Sequence, residues 1–270
     1  AAIALGYAEA GAHVIAVGRT QGGLEALDDK IFAATGEHAS LVPLDLMDGD
    51  AIDRLGLALY ERYKRLDILV GAAGYLGGLT PVAHIDPKPF DQVIGINLTA
   101  NYRLIRSMDP LLRLSDAGRL IFLTSSVAKT PRAFWGPYAA AKAGLEALVA
   151  SYADEMANTP VKACVVNPGG MRTQMRKVAF PGEDPMTLPA PEEIVPLMVD
   201  LADIIYTTDL DPARHFEENP GDGGVALTFA SSNPIYSYLR RDADGVVVEA
   251  ADFDPAAFFR PWQTVEHGRT

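Results

Sequence analysis

A doubly wound parallel sheet in a three-layer α/β/α arrangement is predicted for this 270-residue sequence by two observations. Short apolar segments alternate regularly with helical segments, the order that right-handed crossovers wind into a parallel sheet. The apolar segments are also nearly continuous rather than alternating apolar with polar, as strands covered by helices on both faces must be.

The elements follow in order. Ile3, Leu5 and Tyr7 lie in an alanine-rich stretch suited to a helix, and Gly11 suits the position just past its end. His13 to Val17 is apolar and β-branched and reads as a strand, followed by the turn Gly18-Arg19-Thr20. Residues 22–35 carry Leu24, Leu27 and Ile31 at helical spacing, and Leu41 to Leu44 is a short strand. Residues 50–64 are helical, and Asp67 to Val70 is a strand that runs into Gly71-Ala72-Ala73-Gly74. The alternation repeats with a helix over 88–112, a strand at Arg119 to Thr124, a helix over about 137–157 and a strand at Val161 to Val166. Pro181 to Pro191 holds four prolines and reads as a mobile loop, and a helix over 192–202 begins with Glu192 and Glu193 in its first turn. Beyond Asp203 only Val225 to Phe229 and Val246 to Glu249 qualify as strands. Residues 1–202 therefore form one domain, and 203–270 form a C-terminal extension, partly disordered, for which the pattern predicts no fold.

Composition narrows the function. Lys+Arg number 23 against 35 Asp+Glu, a net charge of −12. Residues 203–270 hold 12 acidic residues and 5 Arg, so −7 of that charge sits in the extension. An acidic chain without a basic cluster lacks the footprint of a nucleic-acid or anionic-lipid binder. Cys164 is the single cysteine, which excludes an intramolecular disulfide, and the five histidines (13, 38, 84, 215 and 267) show no metal-ligand spacing. The opening run carries Glu9 and His13 and has no basic start, so it reads as neither a leader nor a membrane span. The expected compartment is the cytoplasm.

The chemistry concentrates in Thr124-Ser125-Ser126 and in Tyr138 and Lys142. The tyrosine and lysine lie four apart at the start of a predicted helix, hence on one face, one turn apart. A phenol titrates near pH ~10, and an ammonium one turn away favours its ionised form. Ser125 ends a predicted parallel strand, at the edge where open α/β sheets place ligands. A serine thirteen residues before a Tyr-x-x-x-Lys motif makes the chain resemble the short-chain dehydrogenase/reductase family, with a Rossmann-like fold. Ser126 competes with Ser125 if the proline-containing loop is aligned with one deletion.

Further segments carry the resemblance, which covers roughly residues 1–202. Asp45 and Leu46 in Leu-Asp-Leu-Met-Asp resemble the segment that holds the adenine, and Ala72-Ala73-Gly74 stands where the family has Asn-Ala-Gly. The family's preceding asparagine is replaced, so its stabilising role falls to another group. Asn97 resembles the asparagine of the proton relay, and Pro168-Gly169 with Thr173 resembles the turn that touches the nicotinamide carboxamide and phosphates. The resemblance implies hydride transfer between a nicotinamide and a small carbonyl or alcohol substrate. Tyr138 would be the general acid or base, and Ser125 would bond the substrate oxygen. Lys142 would bind the nicotinamide ribose and lower the Tyr138 pKa, and Asn97 would hold a water that links Lys142 to solvent. Arg19 and Thr20 stand at the end of the second family strand, where an arginine accommodates a 2′-phosphate, so NADP(H) is favoured over NAD(H). The implied assembly is a homodimer or homotetramer through the helices at about 88–112 and 137–157.

One family feature is not found. The first strand with its TGxxxGxG turn should lead directly into Ala1, and the sequence reads as N-terminally incomplete. Without that strand the sheet has two unpaired inner edges. Val225 to Phe229, entering Ala230-Ser231-Ser232-Asn233-Pro234, could donate a replacement strand. A second function class, a non-catalytic binding or regulatory protein on the same fold, also accounts for the missing turn. Substrate choice is expected from residues 174–191, where Met175, Phe180, Met186 and Leu188 favour a partly hydrophobic substrate. Trp135 and Phe134 either line that pocket or pack beneath it.

Overall fold

The computed structural model describes residues 1–204, 226–229, 235–241 and 247–249. The parallel strands are β1 (Ile15–Gly18), β2 (Ser40–Pro43), β3 (Ile68–Gly71), β4 (Arg119–Leu123) and β5 (Lys162–Asn167). Around them run α1 (Ala2–Glu9), α2 (Gln21–Thr35), α3 (Gly49–Tyr63), α4 (Pro87–Ile94), α5 (Ala100–Leu112), α6 (Gly136–Glu155), α7 (Gln174–Ala179) and α8 (Val195–Ile204). Each expected strand lies within two residues of its place.

Both faces of the central strands are covered, which explains their unbroken apolar sequence. Leu120, Ile121 and Phe122 of β4 are all fully buried. Leu120 and Phe122, with Ala163 and Val165 of β5, pack against α3, α5 and α6. Ile121, with Cys164 and Val166, packs against Tyr7 of α1 and Met198 and Leu201 of α8. Tyr7 ties α1 to α8, since its hydroxyl donates to the Met198 carbonyl at 2.6 Å. Asp48 caps α3 by accepting from the Ala51 N–H at 2.9 Å.

The sheet is divided. β1 pairs only with β2 among the described strands, whereas β3, β4 and β5 belong to a separate sheet. Between the two lies an apolar slot of about 330 Å³, lined among others by Ile15, Val17, Leu69 and Val70. The unpaired inner edges expected from the sequence are therefore present. Among the described residues the tail supplies no replacement strand: β6 (Ala226–Phe229) pairs antiparallel with β5, at the far edge of the other sheet. β7 (Ile235–Arg241) and β8 (Val247–Glu249) continue that edge antiparallel. β7 is missing from the sequence reading because its alternating Tyr, Ser and Arg give a weaker signal than the apolar strands. The turn expected at Ala230 to Pro234, His215, His267 and most of the acidic extension lie outside the described residues.

Two more elements differ from expectation. The helix read over 88–112 is continuous in direction but interrupted by a π-turn at Gly95–Thr99 between α4 and α5. Where a mobile loop was expected at Pro181 to Pro191, the structure has 3₁₀ turns at Pro185–Thr187 and Pro191–Ile194, preceded by α7. Pro185 and Pro191 occupy first-turn helical positions, where a missing N–H costs nothing.

Candidate active site

Parallel pairing brings the C-terminal ends of β1 to β5 to one edge, and every site residue read from the sequence lies on a segment that follows one of these strands or on α5's preceding π-turn or α6. Arg19 and Thr20 follow β1, Asp45 and Leu46 follow β2, and Ala72, Ala73 and Gly74 follow β3. Ser125 follows β4, and Pro168, Gly169 and Thr173 follow β5. This is the crevice in which an open α/β sheet takes a ligand.

Ser125 is extended (φ −154°, ψ 151°) and caps the 3₁₀ turn Ser126–Ala128, its hydroxyl accepting from the Val127 N–H at 3.5 Å. It is half-buried at the strand end, whereas Ser126 is exposed within the turn. Tyr138 and Lys142 rise from the first turns of α6, whose start is preset by Pro137. They are 7 % and 3 % exposed, respectively. The Lys142 ammonium donates to the Leu123 carbonyl at 2.8 Å and stands 5.8 Å from the centre of the Tyr138 ring. The lysine thus ties α6 to the strand that carries Ser125.

Burial governs both titrations. It pushes the Tyr138 phenol up to about 12 and the Lys142 ammonium down to about 8. Burial thus moves the Tyr138 phenol in the direction opposite to the lowering expected from Lys142, whose ammonium donates to the Leu123 carbonyl.

Asn97 is fully buried in the π-turn. Its amide donates to the Tyr75 carbonyl at 2.7 Å and the Val93 carbonyl at 2.8 Å, while its Oδ1 accepts from the Tyr75 N–H at 3.1 Å. The side chain clamps the loop after β3 in both directions, supplying the stabilisation left open by Gly71 and Ala72, which stand where the family has asparagines. Gly74 lets that loop pass close: a Cβ there would lie 3.4 Å from the Asn97 Oδ1 and 3.5 Å from the Met175 Cε. The Asn97 backbone carbonyl already accepts from the Asn101 amide at 2.8 Å, so only its second lone pair remains for a water.

The remaining residues fit a dinucleotide. Arg19 is exposed, and no carboxylate among the described residues pairs with it. Asp45 is exposed and folds its own turn by accepting from the Met47 N–H at 2.9 Å. Leu46 is half-buried, and Ala72, Ala73 and Gly74 present exposed backbone. Gly169 adopts φ +70°, a conformation glycine takes without strain, and its N–H donates to Asn167 at 3.1 Å. Thr173 caps α7 by accepting from the Arg176 N–H at 3.2 Å. Among the described residues no group of three His, Cys, Asp or Glu side chains could hold a metal ion. No helix among them is long and apolar enough to cross a membrane.

The two aromatic residues before α6 separate. Trp135 stands edge-on to Tyr138, centroids 6.1 Å apart, and meets Phe180 at 5.8 Å, so it belongs to the site wall. Phe134 takes φ +73° and is 52 % exposed. Sequence reading missed what braces this wall: the Arg176 guanidinium stacks 3.8 Å from the Phe180 centroid while forking onto Glu183 with two 2.6 Å bonds. Their seven-residue separation crosses the end of α7, so no helical spacing signals the pair.

Comparison with known proteins bears on this geometry. A family model described as short chain dehydrogenase matches residues 1–184. The oxidoreductase YciK of Escherichia coli is 38% identical over 196 residues, covering 72% of this chain and 77% of its own. A short chain dehydrogenase of Shigella flexneri solved with NADP superposes with a TM-score of 0.72 at 38% identity, over 74% of this chain and 84% of that one. A short chain dehydrogenase of Escherichia coli solved with NADPH gives 0.73 at 37%, over 76% and 87%.

Proposed function

This chain belongs to the short-chain dehydrogenase family, and from that premise we propose how its own residues carry out the family's reaction. It is an NAD(P)(H)-dependent oxidoreductase acting between a carbonyl and an alcohol, with NADP(H) the favoured cofactor. The observation that carries the residue assignment is the tie from Lys142 to the Leu123 carbonyl, which joins the helix of Tyr138 to the strand of Ser125.

When bound, the nicotinamide supplies the hydride to the carbonyl carbon or takes it from the alcohol carbon. Tyr138 gives its phenolic proton to the carbonyl oxygen as that oxygen gains charge, completing the alcohol. Ser125 donates a hydrogen bond to the same oxygen, so the developing charge meets two fixed donors. Lys142 holds the ribose hydroxyls and returns a proton to the phenolate, itself recharged from solvent through a water on the Asn97 carbonyl, and the Asn97 side chain fixes the loop after β3. Arg19 meets the 2′-phosphate, Thr20 and Asp45 with Leu46 border the adenosine, and the backbone of Ala72, Ala73 and Gly74 lines its path. Pro168, Gly169 and Thr173 border the carboxamide and phosphates. The wall of Trp135 and Phe180 favours a substrate with an apolar group beside its carbonyl.

The small molecule is the partner, and a homodimer or homotetramer forms through the outer faces of α4, α5 and α6, where Phe90 and Tyr102 are exposed. The cytoplasm is the compartment we assign, which the buried free thiol of Cys164 fits. The test is Tyr138→Phe: carbonyl-dependent oxidation of NADPH falls at least ~100-fold while NADPH affinity, read by nicotinamide fluorescence, stays within about twofold. Undiminished turnover refutes the assignment of Tyr138, and a wild-type protein that binds no NADPH favours the non-catalytic class.

A further inference from the structure

Glu146 lies one helical turn beyond Lys142, which lies one turn beyond Tyr138, so all three occupy one face of α6. None of the sequence motifs includes it, and no step above uses it. Its carboxylate accepts a hydrogen bond from the Thr124 hydroxyl at 2.8 Å. Thr124 is 5 % exposed and immediately precedes Ser125. The same carboxylate attracts Lys129, which closes the 3₁₀ turn that Ser125 opens, and so opposes the lowering of the Lys129 pKa by burial. The carboxylate is thus bonded to the residue that leads into the serine turn. The Lys142 bond to Leu123 adds a second tie, one residue further back.

We propose that Glu146 is a positioning residue for Ser125, setting the serine hydroxyl against the Tyr138 phenol through its bond to Thr124. The proposal rests on the reading that Ser125 and Tyr138 act on one substrate oxygen. Glu146 touches neither substrate nor cofactor, and its effect passes through the turn. A serine turn loosened at one end still contains every reacting group, so the loss falls on turnover rather than binding. Displacement of a reacting group by a fraction of an ångström is enough to reduce a rate severely.

The full-length chain tests this in two ways. In NADPH-dependent reduction of a panel of ketones and aldehydes, Glu146→Ala lowers kcat about tenfold, with KM and NADPH affinity within about twofold. Thr124→Val produces the same loss, and the double variant is no worse than either single one, because both remove one bond. Glu146→Gln, whose amide oxygen still accepts from Thr124, recovers kcat to within about threefold. The second arm needs no turnover. Ser125→Cys places a thiol in the turn, and Cys164 stays silent because it is fully buried with its pKa pushed up to about 12. In that background Glu146→Ala speeds alkylation by iodoacetamide at least about threefold, and Glu146→Gln does not.

Unchanged alkylation in the Glu146→Ala background overturns the proposal. So does a fall of kcat and NADPH affinity together with melting temperature, the mark of a residue that only holds the fold. Failure of the oxidoreductase reading looks different: the wild-type protein neither binds NADPH nor oxidises it with any carbonyl, while the alkylation difference stands.

Discussion

Replacing Lys142 by methionine should stabilise the protein while abolishing turnover. The lysine is 3 % exposed, and burial lowers its pKa from the ordinary 10.5 to about 8. That displacement corresponds to about 3 kcal/mol against the charged form in the native state at neutral pH. Methionine fills similar space without charge, but it leaves the Leu123 carbonyl without its donor, a loss of about 1 kcal/mol. The expected net gain is about 2 kcal/mol at pH 7, or a rise in Tm of roughly 4–8 °C for a domain of this size.

The pH dependence identifies the cause. Because the folded pKa lies below the unfolded one, the unfolded chain binds the extra proton between about 8 and 10.5. Wild-type stability therefore carries the full penalty below pH 8 and recovers as pH rises through that window. Thermal melts of both proteins at pH 6.5, 7.5, 8.5 and 9.5 should show the advantage of Lys142→Met constant up to about pH 7.5 and shrinking above it. A variant that is less stable at pH 7, or whose advantage does not change with pH, would refute the account of Lys142 as a buried, strained ammonium.

Two predictions concern the cofactor. Arg19→Ala should weaken NADPH binding by about 10- to 100-fold, the worth of a charge-assisted bond to phosphate, and leave NADH binding unaltered; equal losses for both nucleotides in fluorescence titrations would contradict a 2′-phosphate role. Asn97→Ala leaves the Tyr75 N–H and carbonyl without their buried partner, which should cost about 3 kcal/mol in chemical denaturation. The same change should weaken NADPH binding because the loop after β3 is no longer held, and an unaltered unfolding midpoint would show that the clamp is not required.

Much of the site was legible in one dimension because its residues are short-range. Tyr138 and Lys142 are four apart on one helix, and Ser125 ends an apolar strand, so helical periodicity and strand length suffice to bring them to one edge. Asn97 was legible as a site residue but not in its action: the π-turn that buries it depends on α4 and α5 packing beneath the loop after β3. Glu146 could have been noticed as the next rung after Lys142, but its partner Thr124 lies 22 residues away. Arg176 and Glu183 were hidden for the same reason, since their pairing requires α7 to end and the chain to turn back.

The sequence by itself determined the α/β alternation and the burial of both sheet faces. Those properties follow from local propensity and from periods of two and 3.6 residues, which a single chain displays openly. Tertiary structure alone decided the antiparallel course of β6 to β8. It also decided the orientation of Lys142 toward a carbonyl and the rise of the Tyr138 pKa. Pairing partners, desolvation and the direction of a buried charge depend on what surrounds a group in space, and no local pattern encodes them.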